Sequence, residues 1–360
     1  MSTLRVTNIK NESSPSGGLE IDSSGHVQID GQQMPSTGPL SNRNLIINGA
    51  MQVAQRATQV TSITVFGYYT CDRWLFNTAN LGTWTLDQAT DAPEGFTKSF
   101  KATCTTADAS PAAGDYATLI QRIEAQNLQH LKYGTSNAEN LTLSFWVKSN
   151  KTGNASFDIM QSDNSFRQFT ASYTINSADT WEYKTIAIPG DSAGVINDDN
   201  GGGFQIDWWL NTGSDYTTGT HNATWETADN TNRNATNLGV GGATSDYFTI
   251  TGVQLELGDV ATPFEHRSYG QELALCQRYY ATTTVRTGGY NLANLALRTT
   301  VHFPVPMASS PMISFTLPEN GNAYNHVIDT ISITEARYLH LITATGDAYT
   351  QAAVTLNAEI

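Results

Sequence analysis

From Arg43 to about Gly258 the chain is written in short apolar/polar alternations, each ended by turn chemistry after roughly ten residues. Leu141, Leu143, Phe145 and Val147 alternate with Thr142, Ser144, Trp146 and Lys148, the period of two expected of a half-buried strand. Asn150-Lys151-Thr152-Gly153-Asn154 then turns the chain into a run through Phe157 and Ile159, which predicts a hairpin inside a sandwich. Farther along, Phe248 and Ile250 occupy one parity, whereas Val253, Leu255 and Leu257 occupy the other. A parity flip at Gly252 predicts a β-bulge in a long central strand, because one inserted residue restores the inward face.

A helical period follows. Ser268 and Gln271 form a capping box, and Tyr269, Leu273, Cys276 and Tyr280 fall on one face, predicting a helix over about 269–280 that lies across the sandwich. Beyond it, Gly288-Gly289, Asn320-Gly321 and Gly346-Asp347 are tight-turn signals between β-rich runs, and Pro304, Pro306 and Pro311 confine nearby strands to edges or bends.

The first forty residues differ. Leu19 and Ile21, the turn Asp22-Ser23-Ser24-Gly25, and Val27 and Ile29 describe a small two-stranded unit. Such a hairpin is marginal alone in water, so it is expected to order only against a neighbouring subunit or a larger assembly. Pro35, Gly38 and Pro39 mark a linker. The organisation expected is residues 1–40 as an extended N-terminal anchor, 41–267 as a sandwich, 268–281 as a connecting helix and 282–360 as a small C-terminal β domain.

Composition narrows the chemistry. The 360 residues exceed the roughly 150 of one ordinary domain, and a low charged fraction of 14% beside abundant Thr, Ser, Asn and Gly fits an all-β protein. Nineteen Lys and Arg against 33 Asp and Glu, net −14, argue against tracking a phosphate backbone, so nucleic acid is not expected as a partner. No apolar run approaches the roughly 20 residues of a membrane span, and Met1-Ser2-Thr3-Leu4-Arg5-Val6 lacks a signal-peptide apolar block; synthesis in a cytoplasm without membrane insertion is expected. Cys71, Cys104 and Cys276 have no metal-ligand spacing and read as buried thiols, with a Cys71–Cys104 bridge as the alternative.

Phosphate-loop, nucleophile-elbow and zinc-protease motifs are missing from the sequence, and no cofactor or metal is expected. Asn197-Asp198-Asp199-Asn200-Gly201 resembles a cation loop only superficially, lacking alternate-residue ligands and a terminal Glu. Glu265-His266-Arg267 with Tyr269 is the one compact acid/base set, and its place before a capped helix favours a structural role.

Several stretches carry a family resemblance: Arg43-Asn44-Leu45-Ile46-Ile47-Asn48-Gly49-Ala50-Met51-Gln52-Val53-Ala54-Gln55-Arg56, then Cys71-Asp72-Arg73-Trp74, then Leu143-Ser144-Phe145-Trp146-Val147-Lys148-Ser149. Thr249-Ile250-Thr251-Gly252-Val253-Gln254-Leu255-Glu256, Ala261-Thr262-Pro263-Phe264-Glu265-His266-Arg267 and Cys276-Gln277-Arg278-Tyr279-Tyr280 continue it. Together they resemble tail fibres and related virion appendages of bacteriophages, especially marine phages. The resemblance implies a jelly roll like that of carbohydrate-binding modules, a homotrimeric fibre, docking of residues 1–40 on other virion proteins, and adhesion to host surface glycans without catalysis. A capsid-attached fibre or decoration protein is the alternative, and a polysaccharide depolymerase the third reading.

Sugar recognition uses an aromatic ring face beside polar hydrogen-bonding side chains. Trp208 and Trp209 are adjacent on an apparent strand, so they face opposite sides, one in the core and the other exposed, covered by a subunit or offered to ligand. Trp209, Tyr216 and Trp225 are therefore the candidate ligand-binding residues, with packing as the competing role for each; Trp74 and Trp181 are assigned to the core. Opposed carboxylates for glycoside hydrolysis cannot be placed together from the chain alone.

Overall fold

The computed structural model describes residues 8–9, 18–21, 27–29, 32–33, 42–163, 166–293, 296–321, 323–342 and 345–360. Near the N-terminus, β1 (Asn8–Ile9), β2 (Leu19–Ile21), β3 (Val27–Ile29) and β4 (Gln32–Gln33) make a four-stranded sheet, in which Leu19 pairs with Ile29 as the alternation predicts. The predicted turn at 22–25 and the linker at 35–39 lie outside the described residues.

The sandwich is built from β5 (Gln59–Ile63), β6 (Gly67–Tyr68), β7 (Trp74–Ala79), β8 (Thr83–Ala89), β9 (Ser99–Thr106), β10 (Tyr116–Glu124), β11 (Leu141–Ser149), β12 (Gly153–Gln161), β13 (Arg167–Ile175), β14 (Glu182–Ile188), β15 (Gly202–Thr212), β16 (Glu226–Thr227) and β17 (Tyr247–Leu257). One sheet has seven strands in the order β16-β13-β12-β15-β10-β7-β6, the other six in the order β14-β11-β17-β9-β8-β5. The chain passes repeatedly from one sheet to the other, with β6–β7, β8–β9 and β12–β13 as paired neighbours within a sheet, as in a jelly roll. Trp208 fills the space between them: its ring lies 5.4 Å from Trp74 and 5.7 Å from Phe157 of its own sheet, and 5.9 Å from Phe145 of the opposite one.

That crossing corrects the predicted hairpin. β11 pairs with β14 and β17, whereas β12 pairs with β13 and β15, so the turn at 150–152 carries the chain from one sheet to the other. A period of two and a reversal look the same whether the next strand joins the same sheet or faces it. The bulge is where the parity flip places it: Ser144 pairs with Gln254 but Trp146 with Thr251, and Gly252 adopts φ +61°. A Cβ there would sit 2.6 Å from the Phe96 ring, a second reason for glycine.

Helix α1 (Tyr269–Gln277) carries the predicted capping box at Ser268 and Gln271 but ends before Tyr280, which starts the next strand. Its buried residues are Glu272 and Cys276, while Tyr269 is 56% exposed, so the predicted apolar face is displaced. Glu272 is drawn inward because its Oε1 accepts the Asn48 backbone N–H at 2.5 Å. The three cysteines are buried free thiols.

The C-terminal part comprises β18 (Tyr280–Asn291), β19 (Ala296–His302), β20 (Met312–Gly321), β21 (Ala323–Ile331), β22 (Glu335–Ile342) and β23 (Gly346–Asn357), in two three-stranded sheets ordered β18-β23-β20 and β19-β22-β21. Val285, Val301, Phe303, Met307, Tyr338, Val354 and Leu356 form a second hydrophobic cluster. Gly288-Gly289 is not a turn: both residues lie within β18, opposite Tyr349 and Ala348. Glycine's turn preference is overridden there by an unbroken ladder of paired backbone groups. Pro304, Pro306 and Pro311 fall between β19 and β20. Among the described residues no helix is long and apolar enough to cross a membrane.

Candidate functional site

The outer face of the seven-stranded sheet is assembled by register. Asn77, Thr118 and Trp209 pair across β7, β10 and β15, and one step along, Asp207 on β15 pairs with Asp158 on β12. All five project away from the core, because Phe76, Leu119, Phe157 and Trp208, their strand neighbours, fill it. The segment after β15 folds back over this face and delivers Tyr216, from the short 3-10 turn Ser214–Tyr216, and Arg233.

Arg233 organises the floor. Its guanidinium reaches Asp207 Oδ2 at 3.1 Å and Asp158 Oδ2 at 3.3 Å, and lies 4.9 Å from the Trp209 ring centroid. Trp209 Nε1 donates to Asp158, and Gln205 Nε2 donates to Asp207 Oδ2 at 3.0 Å. Burial raises both carboxyls above their ordinary range while Arg233 pulls against it. The same burial disfavours the guanidinium charge, yet the two carboxylates more than offset that and hold it protonated. Tyr216 packs on Trp209 at 5.1 Å and on Tyr116 at 5.7 Å between ring centroids.

These groups enclose a cavity of about 90 Å³ lined by Asn77, Tyr116, Thr118, Gln205, Asp207, Trp209, Tyr216 and Arg233. Thr118 Oγ1 is buried there and finds no hydrogen-bond partner among the described residues. Gln205 and Arg233 also line a neighbouring cavity of about 450 Å³ that adds Arg122, Met160 and the exposed ring of Phe166. Aromatic faces, charge-held carboxylates and an unsatisfied hydroxyl in one groove suit a polyhydroxylated ligand.

Of the residues singled out from sequence, Trp209 and Tyr216 meet here. Trp209 is only 2% exposed, so the side opposite Trp208 is covered by the chain itself rather than open as a flat platform. Trp225 lies elsewhere, stacked on Phe204 at 5.8 Å with its Nε1 donating to the Pro189 carbonyl at 2.7 Å. It caps the sandwich core. Trp181, assigned to the core, is instead half-buried at the surface and donates Nε1 to Asp91 at 3.1 Å, whereas Trp74 is fully buried as expected. Asp158, Asp207, Arg233 and Thr118 were not legible as a group, since only strand register and the return loop bring them together; a charge at the alternate position beside Phe157 is the sole trace in the sequence.

The remaining polar sets hold structure together. Glu265 Oε2 accepts the Asn44 backbone N–H at 2.9 Å, and Arg267 donates to the carbonyls of Ile46, at 3.0 Å, and Asn44, so this acid/base set ties residues 43–48 to the helix entry. Asn48 bridges the Val53 and Asp72 carbonyls at 2.8 and 2.9 Å. In the 197–201 loop, Asp199 Oδ1 accepts the Gly201 N–H at 2.8 Å. Ser156 Oγ lies 3.1 Å from His221 Nε2, but it also donates to the Thr236 carbonyl at 2.8 Å, which commits its proton and pins the return loop.

No family model matches the chain, and no curated protein matches its sequence. Among solved structures it is similar to a putative sugar binding protein from Bacteroides thetaiotaomicron (14% identity, 60% of this chain and 100% of that one, TM-score 0.34). It is also similar to a family 11 carbohydrate-binding module from Clostridium thermocellum (13%, 57% and 98%, TM-score 0.28). A third is the enzymatically active domain of tailspike protein 4 of bacteriophage CBA120 (13% identity, 60% of this chain, TM-score 0.31), of which the chain spans 21% of the length.

Proposed function

We propose that this chain is a structural virion protein, a tail fibre that adheres to host-surface glycans through the groove on the seven-stranded sheet and does not turn them over. The observation that carries the glycan reading is the cavity in which Trp209, Tyr216 and the Arg233-held carboxylates surround the unpartnered Thr118 hydroxyl. Association as a homotrimer rests on the sequence resemblance in residues 43–280, and docking through residues 1–40 on the likeness of Met1-Ser2-Thr3-Leu4-Arg5-Val6 and Ile21-Asp22-Ser23-Ser24-Gly25 to the anchoring segment of such appendages; multivalency is the physical reason such an arrangement suits weak sugar contacts. A capsid-attached fibre would use the same groove.

The depolymerase reading has one observation in its favour, the register-paired carboxyls of Asp158 and Asp207 with raised pKa values. Against it, both are buried and both are bound to Arg233. Purified protein incubated with host envelope polysaccharide is expected to be retained on it, with no new reducing ends or unsaturated sugars, and Tyr216→Ala is expected to lower retention. Release of such ends moves the assignment to a depolymerase; retention that ignores Tyr216→Ala and Thr118→Val removes the groove from the adhesion.

A further inference from the structure

The outer face of the six-stranded sheet is divided. The segment at 258–268 roofs one half: Gln254 and Glu256 are buried beneath it, and Glu256 accepts from the Thr262 N–H at 2.8 Å. The other half carries rings. Trp146 and Tyr183 face each other across β11 and β14, with centroids 5.3 Å apart and planes tilted by 50°. Trp181 follows, its ring 5.8 Å from Lys148 Nζ, and Asp91 receives both the Trp181 indole N–H and the Lys148 ammonium, the latter at 2.7 Å. At the far side Lys101 Nζ lies 4.5 Å from the Tyr247 ring, whose hydroxyl donates to Asp179 at 2.5 Å.

These rings lie outside the hydrophobic core. Trp146 occupies the polar parity of β11, where its neighbours on the same face are Ser144 and Lys148, while Phe145 and Val147 supply the core. Tyr183 is 45% exposed. The surrounding charges balance locally: Lys148 against Asp91, Lys184 against Glu182 at 2.6 Å, and Lys101 near Asp179 through Tyr247. In a chain of net charge −14, a locally neutral patch of aromatic faces with fixed donors and acceptors matches an uncharged partner that has apolar C–H faces and hydroxyl edges.

We propose that Trp146, Tyr183 and Trp181 form a second carbohydrate site, on the face opposite the groove and independent of it, for a neutral hexose or pentose chain. The sugar ring packs on Trp146 and Tyr183, and its hydroxyls meet the Lys148–Asp91 pair. Sites on both faces let one chain hold two glycan segments, which multiplies weak affinities.

The test titrates the full chain with neutral hexasaccharides of glucose, xylose, galactose and mannose while following the indole N–H signals of Trp146 and Trp181. At least one is expected to shift both signals, and Trp146→Ala or Tyr183→Ser to weaken that binding about tenfold or more, with Tyr216→Ala leaving it intact. Tyr183→Ser keeps the test open if Trp146→Ala does not fold. The proposal is overturned if none of the sugars moves these signals, or if the two variants instead change the sedimentation of the assembled protein, which assigns the patch to subunit packing. Loss of the groove's retention alone leaves this site standing.

Discussion

The sandwich and the C-terminal strands solve the same burial problem with different materials. Between the sandwich sheets lie Trp74, Trp84, Trp208, Phe76, Phe100, Phe145, Phe157 and Phe169, all fully buried. Each such ring removes about 150–250 Å² from water, so the sandwich has a core adequate to itself. The second cluster leans on Ala281, Ala336, Ala352 and Ala358 with three valines, Leu356, Met307, Phe303 and Tyr338, and its surroundings leave Tyr290, Met312 and Tyr349 exposed. Charge joins the two. Arg73, fully buried, pairs with Glu359, donates to the Arg122 carbonyl at 2.7 Å and lies 3.5 Å from the Tyr279 ring. Arg56 adds an ion pair to Glu359 at 3.1 Å and lies 3.6 Å from the Tyr280 ring. A core poor in large side chains is thus held to a rich one by a buried ionic seam, and the seam is the place where both depend on each other.

Substitutions can break that contrast in graded steps. Trp208→Ala, which empties the centre of the sandwich, is expected to cost about 3–5 kcal/mol in denaturant unfolding; a loss below 1 kcal/mol would mean the sheets do not rely on it. Glu359→Ala strands a buried guanidinium, and because the Arg122 carbonyl and the Tyr279 ring still hold Arg73, about 3 kcal/mol is expected, the low end for a broken buried pair. Calorimetry should show both parts destabilised together; a change confined to the C-terminal strands would contradict the seam. Ser268→Ala removes one cap hydrogen bond of the linking helix, worth about 1 kcal/mol.

The smallest effect is a slope. Asp158 binds its proton more tightly folded than unfolded, so its stabilising contribution is complete at acid pH and is lost as pH rises from the ordinary carboxyl range of about 4 through its raised folded value. Denaturant midpoints between pH 4 and pH 8 should therefore fall less steeply for Asp158→Asn than for the parent. An unchanged slope would show that Arg233 keeps this carboxylate ionised throughout.

Legibility in the sequence followed the range of the interaction. Ser268 and Gln271 lie three residues apart, and the capping box they predict is present. The Gly252 bulge was readable because a parity slip is local. The helix face was misplaced, since Glu272 turns inward toward Asn48, more than two hundred residues earlier. Trp181, expected in the core, has its indole N–H held at the surface by Asp91. In the candidate site, Trp209 and Tyr216 could be named but not joined, and the Asp158–Asp207 pairing depends on which strand lies beside which.

By itself, then, the order of residues determined the all-β class, the turns, the bulge and the helix start, because periodicity and capping act over a few positions of backbone. Only the tertiary structure decided which strands share a sheet, which of Trp208 and Trp209 enters the core, and how Arg233 gathers two carboxylates. Those outcomes come from packing two sheets against each other, where partners far apart in the chain are chosen by shape and by the need to compensate every buried charge.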